Sequence, residues 1–260
     1  MTGPDGPDDT APQGGSTRRE LLATTAVAVV GLITAPAREA AARTYGGGLP
    51  WTPGAGQYPD VVTPGAWTFF TPAEAAAVEA IVDRLVPADN LSPGGKDAGC
   101  AVFIDRQLAG PFGRAQGLYM RGPFAEGLPQ QGLQSPTTPA ERYRGALAAL
   151  DRHCQQQQGG KVFAALPADQ QDKILQGLED GHIQLPDTDG TAFFELVLQN
   201  TMEGFFADPI HGGNRDMVAW KMLGFPGARY DYRAFIGNYN KPFPLPPVSI
   251  KGRPAWTRRM

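Results

Sequence analysis

Two cysteines and three histidines in 260 residues are a thin supply of metal-binding side chains. No CxxC or CxxCH occurs, so an iron-sulfur cluster and a covalently attached c-type haem both lack their usual ligands. His153, His182 and His211 stand far apart, and none lies three or four residues from another, the spacing that turns two imidazoles toward one zinc. Each reads as a solvent-facing or hydrogen-bonded histidine. A strand followed by GxGxxG, a Walker loop and a GxSxG elbow are missing too, which removes the common nucleotide cradles and the hydrolase nucleophile. Glu179-Asp180 and Asp187 with Asp189 read as solvated or capping carboxylates, not as an acid and base held in one pocket.

Basic charge is also scarce. The net charge is -3 and no basic run follows residue 42, which argues against nucleic acid as a partner. Alternating apolar and polar runs, hairpin dipeptides and repeats of 20 to 50 residues are absent, so the expected fold is all-α: one compact helical domain with extended Pro/Gly-rich arms at both ends.

What the sequence does hold begins at its N-terminus. Ser16-Thr17-Arg18-Arg19-Glu20-Leu21-Leu22 fits a twin-arginine pattern, and the uncharged run Leu21 to Pro36 supplies the apolar region of a signal peptide. Thr24 and Thr25 lie within that run, which is poor material for a permanent span of about 20 strongly apolar residues. Cleavage is expected after Ala42, at Ala40-Ala41-Ala42, or after Ala37, and the alternative to a twin-arginine address is an ordinary signal with two adjacent arginines. Residues 1-42 are therefore read as the signal, 43-68 as an extended solvated or partner-bound arm, 69-240 as the helical domain and 241-260 as a proline-rich extended tail.

Helix punctuation is clear through the domain. Thr71-Pro72-Ala73-Glu74 and Thr138-Pro139-Ala140-Glu141 both place a capping Thr, Pro at the first helical position and Glu three residues after the Thr. Val78, Ile81, Val82 and Leu85 then form one stripe until Pro87, and Tyr143, Leu147, Leu150 and Cys154 another that runs to about Gln157. Further helices are expected over Cys100 to Leu108, Pro167 to Glu179, Thr191 to Ala207, and from Asn214 or Arg215 to Leu223. Residues 109-136 give only a short helical turn around Arg114 to Tyr119.

In a chain sent to an oxidising compartment, Cys100 and Cys154 are expected to form a disulfide. Such a bridge would contribute up to about 4 kcal/mol on the chain-entropy model. Two buried free thiols are the other reading.

The segment Met202 to Tyr232 mixes aromatics, glycines and charges with no simple period. It reads as core and turn, with Gly212-Gly213 turning the chain, Asn214 capping and Trp220 and Phe225 filling core. It also reads as a shaped loop presenting Phe206, His211, Asn214, Arg215 and Trp220 to a partner, since aromatics and Arg dominate binding hot spots.

Three blocks resemble one family. Phe70-Thr71-Pro72 to Asp89, DAGCAVFIDRQLAG from Asp97 to Gly110, and EGFFADPIHGGNRDMVAWKMLGFPG from Glu203 to Gly227 are similar to gluconate 2-dehydrogenase subunit 3, the small (gamma) subunit of a membrane-bound dehydrogenase. His211 stands where many members carry Tyr, and Ala219 where Gly is frequent. The resemblance implies a complex in which a flavin subunit of the glucose-methanol-choline type, holding FAD, oxidises a sugar or sugar acid. A multi-haem cytochrome c subunit, holding haem c, passes the electrons on. The small subunit then has no catalytic, cofactor-binding or metal residue of its own. It helps the large subunit fold and leave by the twin-arginine translocase, and it resides in the periplasm, held at the membrane through the complex. A free-standing exported helical oxidoreductase and an unpartnered binding module are the competing classes.

Overall fold

Thr71 begins the first helix by a reciprocal exchange: its hydroxyl accepts the Glu74 N-H at 3.3 Å, and the Glu74 carboxylate accepts the Thr71 N-H at 2.8 Å. Thr138 and Glu141 repeat the exchange with the same distances. Each cap occupies N-H groups that a helix start leaves bare, a contribution of about 1 kcal/mol. The protein is described by a computed structural model covering Val62 and residues 65-250 except 126, 132, 133, 230 and 231. Among these residues there are six α-helices: α1 (Pro72–Leu85), α2 (Cys100–Ala109), α3 (Pro139–Gln157), α4 (Ala168–Glu179), α5 (Gly190–Phe206) and α6 (Val218–Leu223). No strand is present among them, only isolated bridges. None of these helices is long and apolar enough to cross a membrane.

Helix α5 is the axis of the packing. Asp189 caps it, accepting the Ala192 N-H at 2.9 Å. It packs against α1, α2, α3, α4 and α6, which is why Phe193, Phe194, Leu196, Val197, Thr201 and Phe205 are all buried and only a narrow stripe, Glu195, Gln199, Met202 and Glu203, is left exposed. Two buried hydroxyls are matched there: Tyr143 donates its hydroxyl to Asn200 at 3.1 Å, and Thr201 donates to the Val197 carbonyl at 2.6 Å. Burial pushes the Tyr143 hydroxyl well above its ordinary pKa.

Asp105, fully buried on α2, fixes the entry to α1. Its carboxylate accepts the N-H groups of Thr68, Phe69 and Phe70, each at 2.9 Å, and pairs with the neighbouring Arg106. From α3, Arg144 lies over the Phe69 ring at 4.3 Å, donates to the Phe69 carbonyl at 2.7 Å and bonds Glu74 of α1 at 2.7 Å, so α2 and α3 grip residues 68-70.

The chain departs from the sequence expectations in several places. Cys100 and Cys154 are free and buried, not bridged: each serves as a small apolar side chain in the core. The helical turn expected at Arg114 to Tyr119 is a series of turns. The Gly113 N-H closes the end of α2 on the Gln107 carbonyl at 3.1 Å, and Ala115 with φ 54° cannot continue a helix. Arg18, Arg19 and the rest of the signal lie outside the described residues, as does the arm up to residue 61. Where the arm is described it is held by the domain's own backbone, with the Val62 N-H on the Ile210 carbonyl at 3.0 Å. At the other end, Ser249 and Ile250 are likewise docked, on Asp208.

Candidate partner-binding site

After Phe206 the chain must turn back across the ends of α2 and α5, and three devices make the turn. Asp208 caps a short 3-10 turn at Pro209–His211 by accepting the Ile210 N-H at 3.0 Å. Gly212, with φ 96°, ends that turn in the left-handed region. Gly213 then passes so close to α5 that a Cβ there would sit 2.0 Å from the Gly204 carbonyl oxygen. Gly204 in turn lets the Phe103 ring of α2 approach, with a would-be Cβ 3.0 Å from it. Two glycines thus allow backbone-on-backbone and backbone-on-ring contact at one crossing.

Asn214 is the hinge pin of the loop. It is fully buried with φ 43°. Its side chain donates to the Ala207 carbonyl at 2.9 Å and accepts the Ala219 N-H at 2.9 Å, so it caps α6 from four residues before that helix begins. Asp216 and Met217 are also left-handed, both with φ 57°. Each such non-glycine residue costs on the order of 1-2 kcal/mol. The bonds of Asn214, with Arg215 N-H to the Ala98 carbonyl at 2.9 Å and Met217 N-H to the Asn214 carbonyl at 2.8 Å, offset that cost. They also explain why the single helix expected from Asn214 or Arg215 is split into a 3-10 turn, Arg215–Met217, and α6.

The five residues expected to face a partner therefore divide. Asn214 and Trp220 are buried and hold the loop: the Trp220 indole N-H donates to the Phe206 carbonyl at 2.8 Å. That part of the presented-loop reading is corrected. Phe206 and His211 are half-buried, and Arg215 is exposed. Phe225, expected as core, is 45% exposed and rests its ring edge-on against Trp220 at 5.2 Å. Phe206 and His211 line a shallow groove of ≈ 510 Å³ with Phe103, Gln107, Glu203 and Asp208. Arg215 and Asp216 border a second of ≈ 230 Å³ beside Val62 and Val102. The first groove sets aromatic edges, which are enriched at protein interfaces, beside the carboxylates of Glu203 and Asp208. Among the described residues no group of three or more His, Cys, Asp or Glu is placed to hold a metal.

Asp208 has a second role that the sequence did not disclose. It also accepts the Ser249 hydroxyl at 2.6 Å and the Ile250 N-H at 2.7 Å. Nearby, Gly227 pairs with Val248 in a parallel bridge, and the Ala228 N-H bonds the Val248 carbonyl at 2.7 Å. Of the proline-rich tail, residues 241-250 are described, and their end is bound to the loop rather than solvated. No periodic signal marks such a contact, since it rests on one carboxylate and one serine far apart in sequence.

The sequence model of the family described as Gluconate 2-dehydrogenase subunit 3 matches residues 72–227. That range opens on the first residue of α1 and closes on the glycine of the Gly227 to Val248 bridge. No curated protein and no solved structure gives a match.

Proposed function

The chain belongs to the gluconate 2-dehydrogenase subunit 3 family, and from that premise we propose that it is the non-catalytic small subunit of an exported, flavin-dependent dehydrogenase complex. The family match over α1 to Gly227 carries the reading. The family's description names a subunit, and a subunit implies partners. The large partner is a flavoprotein of the glucose-methanol-choline type that holds FAD and oxidises a sugar or sugar acid, and a cytochrome c subunit holds haem and receives the electrons. Arg18-Arg19 supplies a twin-arginine address that the large subunit borrows, so the assembled pair leaves folded for the periplasm and is held at the membrane through the cytochrome. Phe206, His211 and Arg215 supply loop contacts to the partner, while Asn214 and Trp220 keep that loop in shape.

Deleting the chain, with its cognate flavin dehydrogenase expressed normally, tests the reading. The expected result is an inactive large subunit retained in the cytoplasm. Normal export of active enzyme without this chain sinks it. Sugar or aldonate oxidation by the purified chain alone would favour a free-standing enzyme instead.

A further inference from the structure

Seven of the twelve exposed large apolar side chains among the described residues fall between Leu223 and Ile250. Tyr239 is 79% exposed and Ile236 73%, levels that cost apolar surface to water unless something covers it. The same stretch reverses the charge of the chain. Between Leu223 and Ile250 stand Arg229, Arg233 and Lys241 against one acid, Asp231, although the whole chain carries a net -3.

These residues are not a loose tail. Phe243 packs on Phe235 at 4.7 Å and on Tyr232 at 6.0 Å, and the Arg229 guanidinium lies 5.3 Å from the same ring. Arg229 also bonds the Pro246 carbonyl at 2.6 Å, and Tyr232 donates its hydroxyl to the Gly227 carbonyl at 3.1 Å. The segment from Pro226 to Ile250 is thereby a folded lobe, built on the Gly227 to Val248 bridge and the Asp208 anchor. Most of it lies beyond the range that the family shares.

We propose that this basic, aromatic lobe is a docking surface for a protein partner that offers an acidic face around an apolar pocket, with Ile236 and Tyr239 as the anchors and Lys221 and Lys241 as the surrounding charge. The inference rests on the subunit reading, and names the surface that a family scaffold uses to select its own dehydrogenase.

Three occupants compete for such a surface. A second copy of the chain would set two cationic lobes against each other, which opposes a symmetric contact. A lipid interface favours an amphipathic helix, which satisfies its own backbone. This lobe instead has prolines at 226, 242, 244, 246 and 247 and one short 3-10 stretch, Arg233–Asn238. Preset proline-rich backbone with exposed rings suits a protein groove, because little conformational freedom remains to be lost on docking.

The test uses the full-length chain and its cognate flavin dehydrogenase, purified apart, with the Kd measured at low and high salt. Ile236→Ser with Tyr239→Ser is expected to weaken binding about tenfold or more. Lys221→Glu with Lys241→Glu is expected to weaken it at low salt and to flatten the salt dependence. Arg152→Glu, exposed on α3, is the control that leaves binding unchanged. All five positions are exposed, and an unfolding midpoint equal to wild type confirms that each variant is folded; Tyr239→Ser alone replaces the apolar double, and Lys241→Glu alone the charge double, if either lowers it. Unchanged affinity in both doubles, with wild type binding normally, overturns the lobe while leaving the subunit reading intact. Failure of wild type to bind the dehydrogenase overturns the subunit reading itself. Binding to phosphatidylglycerol vesicles, or self-association, that the doubles abolish while dehydrogenase affinity stays unchanged assigns the lobe elsewhere and overturns the proposal.

Discussion

The carboxylate of Asp208 and the hydroxyl of Ser249 meet at 2.6 Å across 41 residues of sequence. Since the same carboxylate caps the turn after α5, one side chain ties the tail to the loop. Asp208→Ala is expected to cost about 1-3 kcal/mol, the range for hydrogen bonds to a charged group. Amide exchange should quicken at Ile250, Val248 and Ala228. Unchanged protection at Ala228 would show that the bridge stands without the anchor.

Asn214→Ala removes a buried donor and acceptor together and strands the Ala219 N-H and the Ala207 carbonyl. A loss of about 2-4 kcal/mol is expected in denaturant unfolding. Asn214→Gly should lie between wild type and Ala, because glycine recovers the left-handed backbone but neither bond. Equal losses in the two variants would mean that backbone geometry contributes nothing here.

Gly213→Ala forces the loop away from α5, since the added carbon would stand 2.0 Å from the Gly204 carbonyl oxygen. Backbone cannot rotate aside as a side chain can. Destabilisation of about 3 kcal/mol or more is expected. Gly237→Ala, where nothing lies within 4 Å, should be silent in the same thermal scan.

The two thiols predict an alkaline response. Burial pushes Cys100 from 9.0 up to about 12 and Cys154 up to about 11. Above pH 9 the unfolded chain sheds thiol protons that the fold retains, so the unfolded state binds fewer protons and stability falls as pH rises. The contribution is complete below pH 9 and is lost between about 9 and 12. Cys100→Ala with Cys154→Ala should flatten that decline in unfolding midpoint. In native protein at pH 8 neither thiol should react with iodoacetamide, and both should react in denaturant.

Helix starts were the most legible features. Thr71-Pro72-Ala73-Glu74 and Thr138-Pro139-Ala140-Glu141 encode their caps locally, and both helices begin at the proline as expected. The stripe of α3 is buried as expected, and that of α1 as far as Val82, because helix period alone decides which side chains share a face. The loop after α5 was legible as special but not in its division of labour. Whether Asn214 points into the protein or out depends on three left-handed residues in a row of four, and one of them, Met217, is a type that avoids that region. Asp105 gave no signal, since one acid in the apolar run of α2 looks like any surface carboxylate until residues 68-70 fold onto it. The Cys100 to Cys154 bridge was expected from the compartment, whereas packing placed each thiol in the core as an apolar group.

That last outcome bears on how a subunit proposed to leave the cell folded is made. A domain whose two thiols are both sealed inside it has no disulfide left to form once it has folded. Reducing cytosol and oxidising envelope then present it with no different chemistry to undergo. Assembly with the proposed partner then waits on no thiol oxidation, and removal of the expected signal is the covalent step left for the far side.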